Sequence, residues 1–95
     1  MAHVVVMPKL GLTMKSGVVA RWLVGVGEPV ELDGPLLEVE TDKITSEVAS
    51  PAAGVLLRAV EPDLEVPVGE PIAILGEPAE EVSGIALYEA GRSSS

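Results

Sequence analysis

The sequence predicts an all-β domain, a sandwich or flattened barrel of short antiparallel strands. Three observations predict it. The 95 residues include 10 Gly and 8 Pro, and between Met1 and Gly76 only 36–50 contains a run of eleven residues free of both, which leaves little room for an amphipathic helix. Apolar residues make up 47% of the chain but aromatics only 2%, so the core is built from Val, Leu, Ile and Ala, a composition that suggests strands and turns. Third, the chain repeats itself. Gly17-Val18-Val19-Ala20-Arg21 aligns with Gly54-Val55-Leu56-Leu57-Arg58 at an offset of 37 residues, and Val30, Pro35 and Leu36 align with Val66, Pro71 and Ile72 at 36. Two such halves, neither able to bury a face alone, are expected to pack as two quasi-equivalent small sheets, with the single-residue difference a deletion in a surface connection.

The elements follow in order. Short strands are expected at 3–7, 17–23, 56–60 and 72–75, each bounded by Gly, Pro or acidic residues. Between them, 36–48 reads as strand, turn, strand, because Glu38-Val39-Glu40-Thr41 alternates with period two. Gly17, Gly27, Gly54 and Gly69 are read as turn residues with unusual backbone angles. Trp22 is expected to plug the rim between the sheets with its N–H satisfied, and His3 to be structural. The folded domain is placed at 1–76. From Glu77 the texture becomes acidic and rich in breakers, so 77–95 reads as a flexible tail or the start of a linker, with 85–90 as one short helical turn or a docking segment.

Charge and composition exclude several functions. Six Lys+Arg against fifteen Asp+Glu give a formal charge of −9, which offers no footprint for a phosphate backbone and repels anionic membrane surfaces. No cysteine means no disulfide, no zinc-thiolate site and no thiol nucleophile. The lone histidine lacks the companions of a catalytic or metal-binding constellation. No apolar run approaches the roughly 20 residues that span a bilayer, and Met1-Ala2-His3 lacks a signal-peptide pattern, so a soluble, cytoplasmic monomer is expected. The mitochondrial matrix applies instead if a transit peptide has been removed.

The functional segment is the hairpin. With Asp42 and Lys43 in the turn, Glu40 faces Thr45, Val39 faces Ser46, Glu38 faces Glu47 and Leu37 faces Val48. This puts Leu37, Val39, Ile44 and Val48 on one face and Glu38, Glu40, Thr45 and Glu47 on the other. Lys43 then stands at the tip. Two features are locally unfavourable: a two-residue turn prefers Asn-Gly or Asp-Gly, and Glu38 opposite Glu47 pairs like charges. Local rules tend to be broken at functional sites, and a lysine held clear of the body is what a covalent carrier requires. From spacing alone, an ordinary solvated turn lysine is the alternative.

Glu40-Thr41-Asp42-Lys43-Ile44 resembles the lipoyl-attachment hairpin of the lipoyl domains of 2-oxo acid dehydrogenase complexes. Met7-Pro8-Lys9-Leu10-Gly11-Leu12-Thr13-Met14, Gly17, Trp22, Gly27-Glu28-Pro29-Val30, Ser50-Pro51-Ala52-Ala53-Gly54 and Val68-Gly69-Glu70-Pro71-Ile72 match family signposts in the same order. The resemblance covers 3–76. It implies a flattened barrel of two four-stranded antiparallel sheets with quasi-two-fold symmetry, the modified lysine at one end and the termini at the other. Related biotin carriers place Met on both sides of the target lysine, whereas here the neighbours are Asp42 and Ile44, which favours lipoate. A biotin carrier and an unmodified interaction module are the alternatives.

The resemblance implies lipoate in amide linkage to Lys43, with Asp42 and Ile44 serving ligase recognition and the turn. The implied partners are a lipoate ligase or a lipoyl/octanoyl transferase, a thiamine-diphosphate decarboxylase, the acyltransferase core and dihydrolipoamide dehydrogenase. Partner recognition is expected from Gly11, Leu12, Thr13, Met14 and Lys15 in the loop near the hairpin, and from the acidic flank that includes Glu40 and Glu47. The isolated domain is expected to catalyse nothing itself.

Overall fold

The computed structural model describes residues 2–78, 80, 82 and 84–89. Eight strands follow one another: β1 (His3–Val6), β2 (Ser16–Trp22), β3 (Pro29–Val30), β4 (Pro35–Glu40), β5 (Thr45–Ala49), β6 (Gly54–Ala59), β7 (Glu65–Pro67) and β8 (Pro71–Gly76). They form two four-stranded sheets, ordered β1-β8-β6-β3 and β5-β4-β2-β7, with every pairing antiparallel. The predicted strands are present. β3 and β7 escaped the sequence reading because two or three residues are too few to show a period.

The internal repeat is the organising symmetry. Replacing β2, β4, β5 and β7 by β6, β8, β1 and β3 turns one sheet order into the other. Backbone details repeat as well. Among the described non-glycine residues only Asp33 (φ 66°) and Asp63 (φ 69°) have positive φ, and each stands 36 residues from a glycine in the same region, Gly69 (φ 92°) and Gly27 (φ 94°) respectively. Left-handed backbone at these turns is therefore required by the fold in both halves, met by Gly in one and by Asp in the other.

Gly17 and Gly54 lie in strands and not in turns, and of the two only Gly54 has the unusual backbone angle expected, with φ 155°. Gly17 is needed for space. A Cβ there would stand 2.8 Å from Met14 Cε and 2.8 Å from Val39 Cγ1, inside van der Waals contact.

The core lies between the sheets. Val19, Leu37, Val39 and Val66 from one sheet and Leu56, Ile72, Ala73 and Leu75 from the other are fully buried, as is Leu36. Strict alternation would turn Leu36 or Leu37 outward. A register shift between Pro35 and Leu37 lets both reach the core, and the equivalent irregularity, between Val5 and Val6 opposite Ala73 and Pro71, accompanies the burial of both Ile72 and Ala73. Trp22 packs partly buried against this core, and its indole N–H donates to the Val60 carbonyl at 2.7 Å.

The segment from Glu77, expected to be a tail or linker, folds back over its described part. Val82 is buried, Leu87 and Tyr88 pack against the core, the Tyr88 N–H donates to Pro71 O at 2.8 Å, and Arg58 Nη1 donates to Ile85 O at 2.7 Å. The docking alternative for this segment describes Ile85 to Glu89; residues 79, 81, 83 and 90–95 lie outside the described residues. Apolar side chains spaced along an otherwise polar segment explain the docking.

Gly27→Ala and Gly69→Ala are expected to lower stability by about 1–2 kcal/mol each. A Cβ at either position meets nothing within 4 Å, so the cost is conformational. Urea unfolding followed by circular dichroism reads it, and unchanged midpoints would contradict the left-handed turns.

Candidate functional site: the β4–β5 hairpin and the loop beside it

The hairpin adopts the register read from the sequence: Leu37 pairs with Val48, Glu38 with Glu47, Val39 with Ser46 and Glu40 with Thr45. Leu37 and Val39 anchor it in the core, and Val48 packs at the core's edge. Ile44 departs from the expected apolar face. It lies beyond the last ladder pair and is 52% exposed.

At the tip, Asp42 and Lys43 are exposed and keep negative φ, so this is not the primed turn that demands Gly. Thr41 supplies the geometry instead. Its N–H donates to Ile44 O at 2.7 Å, and its Oγ1 accepts the N–H of Lys43 at 3.2 Å and of Ile44 at 3.1 Å while donating to Ile44 O at 3.2 Å. The apparently poor Asp42-Lys43 turn is thus held by a side-chain cap. No carboxylate of the described residues pairs with Lys43, which leaves its amine accessible.

The like charges at Glu38 and Glu47 are relieved from the third strand. Arg21 on β2 pairs across to Glu38, its Nε donating to Oε1 at 3.1 Å and its Nη2 to Oε2 at 3.4 Å. The row Arg21, Glu38, Glu47 therefore balances itself only in part.

The connection between β1 and β2 stands beside the tip. Met14 secures it: Sδ accepts the Leu10 N–H at 3.1 Å, the Met14 N–H donates to Gly11 O at 3.2 Å, and the methyl lies over Gly17. Leu12 at the loop's apex is 95% exposed. This loop and the hairpin tip enclose an open groove of about 390 Å³ lined by Leu10, Gly11, Leu12, Thr13, Met14 and Ser16 on one side and by Thr41, Asp42, Lys43 and Ile44 on the other. Lys15 and Glu40 line a neighbouring hollow with Asp42 and Glu65, where Ser16 Oγ donates to Glu65 Oε2 at 2.7 Å. The structure thus gathers the sequence-selected residues around Lys43, except Glu47, which stands opposite Glu38 and outside both hollows. Thr41 is the residue that sequence reasoning passed over. Its signal was a hydroxyl residue two positions before the turn lysine, a pattern that forms a local cap. Among the described residues no three His, Cys, Asp or Glu are grouped to hold a metal ion, and no helix is long and apolar enough to cross a membrane.

A protein-family comparison matches residues 3–75 to the family described as "Biotin-requiring enzyme", which joins biotin and lipoyl attachment domains. The chain belongs to this biotinyl/lipoyl-attachment family. Within the family it is similar to a lipoyl domain and to dihydrolipoyllysine-residue acetyltransferases. It is 50% identical over 78 residues to the dihydrolipoyllysine-residue acetyltransferase component of the pyruvate dehydrogenase complex of Corynebacterium glutamicum, covering 81% of this chain and 12% of that protein. It is 44% identical over 84 residues to the corresponding component of the acetoin cleaving system of Pseudomonas putida, covering 87% of this chain and 23% of that protein. The solution structure of the lipoyl domain of the Azotobacter vinelandii 2-oxoglutarate dehydrogenase complex superposes with a TM-score of 0.63 at 32% identity, covering 78% of this chain and 95% of that one. The chain spans a quarter or less of the length of these curated relatives, from 12% to 23%. A lipoyl domain is a non-catalytic carrier, and the biotin-carrier alternative is not favoured by these relatives.

Glu47→Lys is expected to stabilise the domain by about 0.5 kcal/mol, because it converts a like-charge cross-strand pair into an attractive one. The urea midpoint should rise at low ionic strength and the gain should shrink in high salt. A gain insensitive to salt would assign the effect to something other than the Glu38–Glu47 pair.

Proposed function

We propose that Lys43 carries lipoate in amide linkage and that this domain is the mobile acyl carrier of a 2-oxo acid or acetoin dehydrogenase complex. The observation that carries the reading is the position of Lys43, exposed at the apex of a hairpin whose body is locked into the core. Lys9 and Lys15 are also exposed, but both lie in the connection between β1 and β2. The site fits the group: the amine has no ion-pair partner among the described residues, and the groove beside it is open and lined by both apolar and polar residues.

Lipoate supplies a dithiolane that can be opened to carry an acyl group as a thioester, a capacity that no side chain of a cysteine-free chain has. The protein's own residues do the rest. Thr41 shapes the turn, Asp42 and Ile44 flank the lysine for the modifying enzyme, and the hairpin holds the amine away from neighbouring carboxylates. Amide formation removes the lysine charge and deepens the domain's formal charge of −9 by one unit. Leu12 and Ile44, apolar and exposed across one groove, form the contact through which a thiamine-diphosphate decarboxylase recognises the carrier. The acyltransferase core and dihydrolipoamide dehydrogenase complete the cycle, with tethering replacing free diffusion by a high effective concentration.

Incubation with lipoate ligase, lipoate and ATP should add one lipoyl increment that peptide mapping places on Lys43, absent in Lys43→Arg. A parallel reaction with biotin ligase should leave the protein unmodified. A biotinyl increment would move the domain to carboxylases, and no increment from either enzyme would leave an unmodified interaction module. For recognition, Leu12→Asp is expected to lower kcat/KM for reductive acylation by a pyruvate or acetoin decarboxylase about tenfold, equivalent to about 1.4 kcal/mol. Its lipoylation by the ligase should stay at the wild-type rate.

A further inference from the structure

We infer that Thr41 is a positioning residue for modification of the hairpin lysine, holding the tip in the shape a lipoate ligase must engage; this rests on the carrier reading of Lys43. A hydroxyl can accept two hydrogen bonds and donate one. Thr41 Oγ1 uses that whole capacity on the turn, accepting from the Lys43 and Ile44 N–H groups at 3.2 and 3.1 Å and donating to Ile44 O at 3.2 Å.

Among the described residues no other side chain hydrogen-bonds to the backbone of this tip. Asp42, Lys43 and Ile44 are all exposed, so burial contributes little to their conformation. The turn has no Gly, and Asp42 and Lys43 keep negative φ, so a primed hairpin turn does not impose its shape. Among the described residues, the one backbone bond that closes it runs from the Thr41 N–H to Ile44 O, at the root of the loop. The amides of Lys43 and Ile44 therefore depend on one side-chain oxygen. Without it, those amides turn to water and the tip samples several conformers.

A modifying enzyme that takes up the tip in one shape pays for that sampling in affinity: its apparent dissociation constant rises by the inverse of the competent fraction. Once bound, the lysine amine reaches the reaction centre as before. The loss of the hydroxyl thus belongs in KM and leaves kcat nearly unchanged; global unfolding would act on KM in the same way, so the unfolding midpoint and the exchange of the Lys43 and Ile44 amides separate the two. A serine in place of the threonine keeps the oxygen and restores the cap, whereas valine keeps the shape of the side chain and removes every bond it makes.

The test compares the full chain as wild type, Thr41→Val and Thr41→Ser in steady-state lipoylation by lipoate ligase, with peptide mapping of the product and the unfolding midpoint of each protein. Thr41→Val is expected to raise KM for the domain about tenfold with kcat within about twofold, and Thr41→Ser to return KM to within about threefold of wild type. Exchange of the Lys43 and Ile44 amides, followed by NMR, should quicken in Thr41→Val and recover in Thr41→Ser. The unfolding midpoint serves as control and should be nearly the same in all three. Wild-type KM in Thr41→Val, or equal losses in the valine and serine variants, would overturn the inference while leaving the carrier reading intact. Failure of the wild-type protein to be modified on Lys43 would instead overturn the carrier reading itself.

Discussion

Each sheet of this chain takes two strands from either half and is too small to bury its own apolar face, and with no phenylalanine the shared core must be filled by aliphatic side chains. That constraint governs the rest of the structure. Smaller side chains each remove less surface from water, so more of them must face inward than simple alternation along short strands allows. Equivalent irregularities in the two halves meet the need by bringing the neighbours Leu36 and Leu37, and Ile72 and Ala73, into the core together. Close approach is the other means. Gly17 admits the Met14 methyl and Val39 where any side chain would hold them apart, and the same contact fixes the loop that stands beside Lys43.

The hairpin tip is built on the opposite principle. Its strands are anchored by Leu37, Val39 and Val48, but the apex has no packing to define it and relies on hydrogen bonds from a single hydroxyl. Such an arrangement separates two requirements that conflict in a carrier. The base must be rigid enough to present one lysine reproducibly, and the lysine must remain unburied and unpaired so that it can enter successive active sites. A salt bridge to Asp42 or Glu40 would satisfy the first requirement at the expense of the second, and neither carboxylate pairs with Lys43.

Sequence reading reached the repeat, the hairpin register and the lysine at its tip because each leaves a pattern: matched Gly, Arg and Pro at offsets of 37 and 36, period-two alternation at 38–41, and a polar turn. It missed what has no local period. β3 and β7 are too short to alternate, and Gly17 reads as a turn residue until Met14 and Val39 are seen closing on it. Asp33 and Asp63 carry the left-handed turns without announcing them, because either residue is equally at home in an exposed loop. The turn was judged poor by the rule for primed hairpins, and Thr41 supplied the geometry that the rule assigns to glycine. Composition marks the breakers and acids from Glu77 and leaves docking of 85–90 as one of two alternatives; the packing of Leu87 and Tyr88 decides for docking over the described residues.

The two sheets share a plan yet expose different surfaces, and one row of residues shows how. On the sheet that bears the hairpin, Arg21, Glu38 and Glu47 lie side by side on neighbouring strands. The row that the repeat places in the same position on the other sheet is Arg58, Ile74 and Val4. Glu38 answers its arginine with a carboxylate and faces water; Ile74 cannot, and it is fully buried. Arg58 instead donates to the carbonyl of Ile85, in the segment that folds back beyond β8. Exchange of a glutamate for isoleucine at the centre of the row therefore puts a buried apolar residue where the other sheet presents a carboxylate, while Val4 at its edge stays exposed. Two hydrogen bonds tie the described part of the returning segment to this sheet, through Arg58 on β6 and Pro71 on β8. Two sheets built on one plan are thus distinguished by what stands beside the repeated arginine: a carboxylate on the sheet that bears Lys43, and an isoleucine with a backbone carbonyl from the returning segment on the other.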